Sequence, residues 1–453
     1  MDLTKDNITT LIKKIAVPAS IGTFFQTMYN LVDSKFAGLI SPEALTAIVK
    51  SFPIYLIIIA ASVGISAGTT ALISNTLGKK DNEKASVLFA QSILVALLIT
   101  LIVTFIGIIS MKEILLILKS NEQIISYALD YMKIIFSGSI IIFLLVTMNA
   151  SLVSRGDTKS YRNVLIFSFF LNIFLNPLFI YGFYVVPAMG ISGIALATIV
   201  SELVGLIYII YKLNKTEIRK YISLECFKPK KDLILDILRQ AIPSGLSMGM
   251  VGLGVFILIY LVSSYGEYSA GGYGTGVRFE QLFLLPILGL NTATLSLVGQ
   301  NFGANNLERI KEIYFLTLKY GVGLMIIGGL IIFTSSPYVM SFFSSNIDII
   351  YYGTAYLKIA AIAGPCYPVF YISSALLQGL QKPTHAMIIN LLRMIFIPLV
   401  ILAPGVLIFS ISYIEMFTYL LIINYTFALM IFFYCKKKIN KIINSYNPNF
   451  SAV

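Results

Sequence analysis

The chain is poor in the residues that most enzymes and metal proteins rely on. It has one histidine, three cysteines and only 12% charged residues among 453. His385 has no Cys, Asp or Glu close by in sequence and reads as structural. Cys226, Cys366 and Cys435 are scattered and form no C-x-x-C pair, so neither a disulfide framework nor a metal cluster is indicated. A membrane-embedded enzyme would need His, Asp or Cys converging near the midplane, and that stock is missing. There is no G-x-x-x-x-G-K-[ST] phosphate loop. The glycine cluster Gly271-Gly-Tyr-Gly-Thr-Gly276 follows neither that pattern nor the T-V-G-Y-G of a potassium filter, and is read as a site of close helix packing. The start, Met1-Asp-Leu-Thr-Lys5, lacks the charged region, short apolar core and cleavage site of a removable signal peptide. Enzyme, resident cofactor and nucleic-acid partner are all left without support.

What is there is apolar. Hydrophobic residues make up 57% of the chain, and mean hydropathy is +0.87. Such a composition, with apolar runs of spanning length from end to end, defines an all-α polytopic membrane protein. Twelve spans are expected near residues 12–39, 47–77, 86–110, 127–153, 161–183, 189–212, 237–264, 271–301, 310–335, 351–380, 384–404 and 408–435. The excess of 33 Lys+Arg over 21 Asp+Glu falls largely in alternate loops. Lys5, Lys13 and Lys14 precede the first span, Lys79, Lys80 and Lys84 follow the second, and Arg155, Lys159 and Arg162 follow the fourth. Arg309, Lys311, Lys382 and Lys436–Lys438 continue the alternation, with Lys112 and Lys119 as exceptions. Positive-inside bias therefore puts both termini in the cytoplasm of a cell-membrane protein. The long polar connection from Lys212 to Arg239 carries a run of Lys and Arg around Pro229. It reads as a cytoplasmic linker, with contact to acidic lipid headgroups as a further role.

The two halves repeat. Lys14-Ile-Ala-Val-Pro18 matches Arg239-Gln-Ala-Ile-Pro243, Asn75-Thr-Leu-Gly78 matches Gln300-Asn-Phe-Gly303, and Tyr131-Met-Lys-Ile134 matches Tyr356-Leu-Lys-Ile359. All three share one offset: 243 − 18, 303 − 78 and 356 − 131 each equal 225. Ser154-Arg-Gly156 and Leu377-Gln-Gly379 agree with a slip of two residues. Six spans per half give parallel repeats, for which the binding site is expected between lobes. The organisation read is a first lobe over 1–212, a linker over 213–236, a second lobe over 237–435 and a basic tail over 436–453.

The first span carries a carboxylate, Asp33, inside an apolar run. Helical spacing lines up Thr23, Gln26, Asn30 and Asp33 as one polar stripe, while Phe24, Phe25, Met28 and Leu31 lie largely off it. An acid in lipid costs several kcal/mol, so it should face a protein interior or a wet cavity and mark an ion or proton site. The plainer alternative is a helix-end cap or a pair with Lys35, which helical geometry points elsewhere. Asn172 and Asn176 lie one turn apart in the fifth span, with Ser168 a turn earlier. Asn149, Thr198, Ser201 and Glu202 complete the polar set of the first half. Amide and hydroxyl oxygens beside one carboxylate suit sodium; the same group could hold a proton, or the Asn and Thr side chains could serve only as glue between helices. At the duplicate position, 33 + 225 = 258, stands Leu258, so the acid belongs to one half alone. Arg278 and Glu280 are the second half's charges, read either as a mutual pair or as cavity lining. Met28, Tyr29 and Phe24, with Met148, Met248 and Met250, would suit adaptable contacts to flat apolar cations or ordinary packing alike.

The stretch Pro18…Gln26-Thr-Met-Tyr-Asn-Leu-Val-Asp33…Gly38 resembles the first-helix pattern of the multidrug and toxic compound extrusion (MATE) family. Leu171-Asn-Ile-Phe-Leu-Asn-Pro-Leu-Phe-Ile180, Gly193-Ile-Ala-Leu-Ala-Thr198 and Val298-Gly-Gln-Asn-Phe-Gly-Ala304 carry the same likeness. The resemblance implies two six-helix lobes around a V-shaped cavity and efflux of lipophilic organic cations by antiport with protons or sodium. It implies that Asp33, Asn149, Asn172, Asn176 and Thr198 form the coupling site, with sodium at Asp33, Asn172, Asn176 and Thr198. Gln26, Met28, Tyr29, Asn30, Glu202, Arg278 and Glu280 are the candidates for contact with substrate. Two departures stand out. Asn176 replaces the family's usual Asp, and Val251 and Tyr367 stand where some members place further acids, so coupling is expected to rest on the first lobe. A monomeric multidrug exporter is the leading expectation; a flippase of lipid-linked saccharides is the alternative.

Overall fold

The structure, a computed structural model, describes residues 1–117 and 120–446, with the side chains of Glu267 and Tyr446 left aside. Lys119, and residues 447–453 of the expected basic tail, lie outside the described residues. Among the described residues eleven helices are long and apolar enough to span a membrane, and a bent pair makes up to twelve. They are α1 (Ile8–Ile40), α2 (Pro42–Gly78), α3 (Asn82–Ile117), α4 (Glu122–Val153), α5 (Lys159–Tyr181) and α6 (Ile191–Leu213). After the connection come α7 (Lys231–Ser263), α8 (Glu267–Gly303) and α9 (Leu307–Phe343). α10 is a pair, Ile347–Ala363 and Cys366–Gly379, bent by 51°; α11 is Pro383–Leu407 and α12 is Tyr413–Tyr446. Among the described residues the one β contact is an isolated bridge between Phe183 and Val186.

Local chemistry sets where helices begin. The Ser41 hydroxyl accepts from the Ala44 amide and Pro42 opens α2, where its missing N–H costs nothing. Asn121 and Asn346 cap α4 and α10, at equivalent points of the two halves, through their side-chain oxygens. The bend in α10 falls at Gly364-Pro365, where proline has no amide to continue the ladder. Around Pro398, α11 widens into two π-helical turns, Leu392–Phe396 and Pro398–Leu402.

The duplication is geometric as well as sequential. α2 and α8 start and stop in one register, since 267 − 42 = 225 and 303 − 78 = 225. The left-handed residues after these helices also correspond, with Lys80 at φ 62° and Asn305 at φ 57°. Gly156 at φ 80° corresponds to Gln381 at φ 60°, and 381 − 156 is again 225. The two-residue slip suggested by the Arg-Gly and Gln-Gly motifs therefore disappears at this turn, because backbone conformation rather than residue identity keeps the register.

By contacts the chain divides at other points than the sequence halves: one compact unit is Met1–Ser20 with Leu246–Val453, the other Ile21–Gly245. A crossing of small residues explains this. A Cβ on Gly64 would lie 2.5 Å from the Ala241 carbonyl oxygen and 2.8 Å from Gly245 Cα, so the start of α7 lies backbone-close on α2. Gly64-x3-Gly68 facing Ala241-x3-Gly245 is the small-residue spacing that lets helices approach in lipid. The same crossing recurs in the other unit, where a Cβ on Gly289 would meet the Ala16 carbonyl oxygen at 2.4 Å. The expected glycine packing in 271–276 is also present, with a Cβ on Gly272 only 2.7 Å from the Gly353 nitrogen.

The polar connection is docked rather than loose. Gln91, fully buried on α3, donates to the carbonyls of Cys226 (2.7 Å) and Lys228 (2.8 Å) and accepts from the Lys230 amide (2.9 Å). Ile218 and Cys226 are buried, so the segment adds to the Ile21–Gly245 unit.

Candidate functional site

The unit Ile21–Gly245 holds one buried acid site, assembled from α1, α5 and α6. Asp33 is 5% exposed, and Asn172 and Asn176 are fully enclosed. Asn176 Nδ2 donates to Asp33 Oδ1 at 3.0 Å and to Asn172 Oδ1 at 2.9 Å, which uses both of its protons. Thr198 Oγ1 lies 3.0 Å from Asp33 Oδ2 and 3.1 Å from the Ile194 carbonyl, so its single proton can swing between them. Both carboxyl oxygens thus face a donor, and no cation is paired with the acid among the described residues. Lys35 is exposed and does not approach it, which removes the ion-pair alternative.

The network leaves several buried atoms without partners: Asn176 Oδ1, Asn172 Nδ2, Asn149 Oδ1, Ser201 Oγ and the Tyr29 hydroxyl. Orphaned buried polar atoms are costly, and beside a carboxylate two amide oxygens are the ligand type a sodium ion takes. The donor set therefore fits a hard cation, and it equally fits a protonated Asp33, whose hydrogen could go to an orphaned oxygen.

Not every expected residue joins. Gln26 and Asn30 are exposed, so the predicted stripe on α1 parts from Asp33. Spacing alone puts Gln26 on the same side, but burial follows what lies opposite. At Phe25 the helix meets Phe169 of α5, while only further along do α5 and α6 supply polar groups. Tyr29 is buried one turn before Asp33, and Met28 is half-buried. Asn149 is buried with its Oδ1 unpartnered and outside this network, and Glu202 is half-buried.

In the other unit Glu280 is 4% exposed and accepts from the Tyr356 hydroxyl. Arg278 is exposed and makes no ion pair with it, contrary to the mutual pairing considered from sequence. The buried cation of this unit is Arg393, absent from the sequence-derived set. The signal was available: Asn390-Leu-Leu-Arg-Met-Ile-Phe396 puts a lone charge in an apolar span, as with Asp33. His385 stacks on Tyr434 at 5.5 Å between ring centroids, a packing role.

Apolar helices of spanning length in a duplicated frame, with an acid enclosed by amides inside one unit, define a polytopic helical membrane transporter. The chain belongs to the MatE family, whose family model matches residues 18–178 and again 243–402, the starts differing by 243 − 18 = 225. It is 29% identical over 399 residues to the probable multidrug resistance protein YpnP of Bacillus subtilis (strain 168), covering 86% of this chain and 87% of that one. It is 24% identical over 404 residues to an FAD transporter of Shewanella oneidensis, covering 86% of each. Among solved structures, an outward-facing multidrug resistance MATE family transporter superposes with a TM-score of 0.89 at 25% identity, covering 98% of both chains.

Proposed function

We propose that the protein exports lipophilic organic cations in exchange for protons or sodium ions, acting as a monomer, with Asp33 as the residue that carries the coupling ion. The observation that carries this reading is a carboxyl group enclosed by Asn172, Asn176 and Thr198 with no counter-cation. Such a group is costly when charged and empty. A proton or sodium ion relieves that cost, so ion occupancy changes the free energy of whichever conformation exposes the site. An exchanger needs this differential affinity, because a ligand bound equally in both states shifts nothing. Asn in place of Asp at 176 leaves a single negative charge here, which suits exchange of one monovalent ion per carboxylate. Relatives named for multidrug resistance or multidrug export support drugs as the substrates. The flippase alternative drew on Arg278, and that side chain is exposed.

The test is drug uptake into proteoliposomes with an imposed proton or sodium gradient, using a fluorescent lipophilic cation. One of the gradients should drive exchange, and Asp33→Asn should reach the membrane yet lose gradient dependence. Normal gradient-driven exchange by Asp33→Asn would move the coupling site elsewhere, with Glu202 or Glu280 next. Both termini are proposed to be cytoplasmic. On a cysteine-free background, cysteines at positions 230 and 438 should resist an impermeant thiol reagent in intact cells, and one at 346 should react.

A further inference from the structure

Within the unit that contains Leu246–Val453, a cavity of about 180 Å³ lies among α7, α8, α10, α11 and α12. Two charged groups line it, Glu280 on α8 and Arg393 in the first π-helical turn of α11, and both are more than nine-tenths buried, at 4% and 7% exposure. No ion pair joins them. Glu280 accepts from the Tyr356 hydroxyl on Oε2 and leaves Oε1 without a partner. Arg393 donates from Nη1 to Asn424 Oδ1 at 3.1 Å, its guanidinium carbon sits 3.7 Å from the centre of the Phe370 ring, and Nε has no partner. Tyr273, Tyr367, Tyr371 and Phe417 line one part of the wall, and aliphatic side chains such as Leu258, Leu284 and Leu420 line the rest.

Two opposite charges left apart in a low-dielectric interior forfeit their attraction and keep their desolvation cost. The scaffold does not require them. One repeat earlier, 280 − 225 = 55 and 393 − 225 = 168, positions occupied by Tyr55 and Ser168. Neither has an ion-pair partner among the described residues, so Arg393 lacks an anion and Glu280 a cation, and both line this one cavity. We infer that this cavity binds a compact zwitterion of the size of an aromatic amino acid, its carboxylate on Arg393, its ammonium on Glu280 and its ring among the tyrosines. Size supports the choice, because the cavity is smaller than the roughly 300–1,000 Å³ of drug-sized sites. Charge supports it as well. A lipophilic cation satisfies Glu280 alone and leaves the guanidinium unmatched, while a zwitterion matches both with charge-assisted hydrogen bonds.

The experiment is equilibrium binding to the purified full chain in lipid nanodiscs, with three probes. L-Phenylalanine carries both charges, phenethylamine lacks the carboxylate, and N-acetyl-phenylalanine lacks the ammonium. Phenylalanine should bind saturably, and each analogue should bind more weakly by about tenfold or more, the loss of one charge-assisted contact. Arg393→Gln should erase the preference over phenethylamine and Glu280→Gln the preference over the N-acetyl compound, while Arg393→Lys retains part of the first. Absence of saturable phenylalanine binding, or equal binding of all three probes, overturns the inference on the unaltered protein, whatever the folding of the variants. A preference unchanged in folded Arg393→Gln overturns the assignment to this cavity.

Discussion

The two halves share a frame and differ in where they spend their charge. In the first, the buried acid is on α1, held by amide and hydroxyl donors. In the second, position 258 on α7 is Leu, and the acid is on α8, at Glu280, where the first half has Tyr55. Tyr356, which donates to Glu280, has its counterpart in Tyr131, so the donor was kept in both halves while its partner changed. Backbone features behave otherwise: the left-handed turns and the small-residue helix crossing recur at one offset. What the fold needs appears twice, and what the chemistry needs appears once.

The sharpest way to break this comparison is Asp33→Asn. It should abolish gradient dependence in exchange assays while Leu258→Ala, at the duplicate position, keeps it; equal loss in both would mean the halves share one coupling role. Next in size come the crossings. Gly64→Leu and Gly289→Leu should each destabilise the protein by about 3 kcal/mol or more, because a side chain there meets backbone of the facing helix, at Gly289 together with the Ser20 hydroxyl. Thermal unfolding in detergent reads this, and a large drop for one variant alone would show that the crossings are not equivalent. Gln91→Ala should cost about 2–3 kcal/mol in the same assay, since it strands two carbonyls and an amide of the connection. Its effect should spare ion selectivity. Smallest are Asn172→Ala and Asn176→Ala, each weakening the apparent affinity for the coupling ion by ~1–2 kcal/mol without abolishing exchange. If Asn176→Ala matched Asp33→Asn, the amide would be as indispensable as the acid.

Composition, apolar run length and the repeat were legible in the chain because each is a property of order along it. A helix in lipid must satisfy its own backbone, so twelve spans and their starts follow from local sequence. Asp33, Asn172, Asn176 and Thr198 could be singled out because polar groups are scarce there and each needs a reason. What the tertiary structure decided was which of them meet. Gln26 shares the side of α1 that carries Asp33 yet is exposed, because burial depends on the neighbouring helix at each level. Arg278 and Glu280 stand two residues apart and separate, while Arg393, more than a hundred residues further along, lines the same cavity as Glu280. The packing of residues 1–20 with the second half likewise depends on a close crossing at Gly289. Proximity along a chain and proximity in a membrane-spanning bundle are set by different forces, and only the packed helices supply the second.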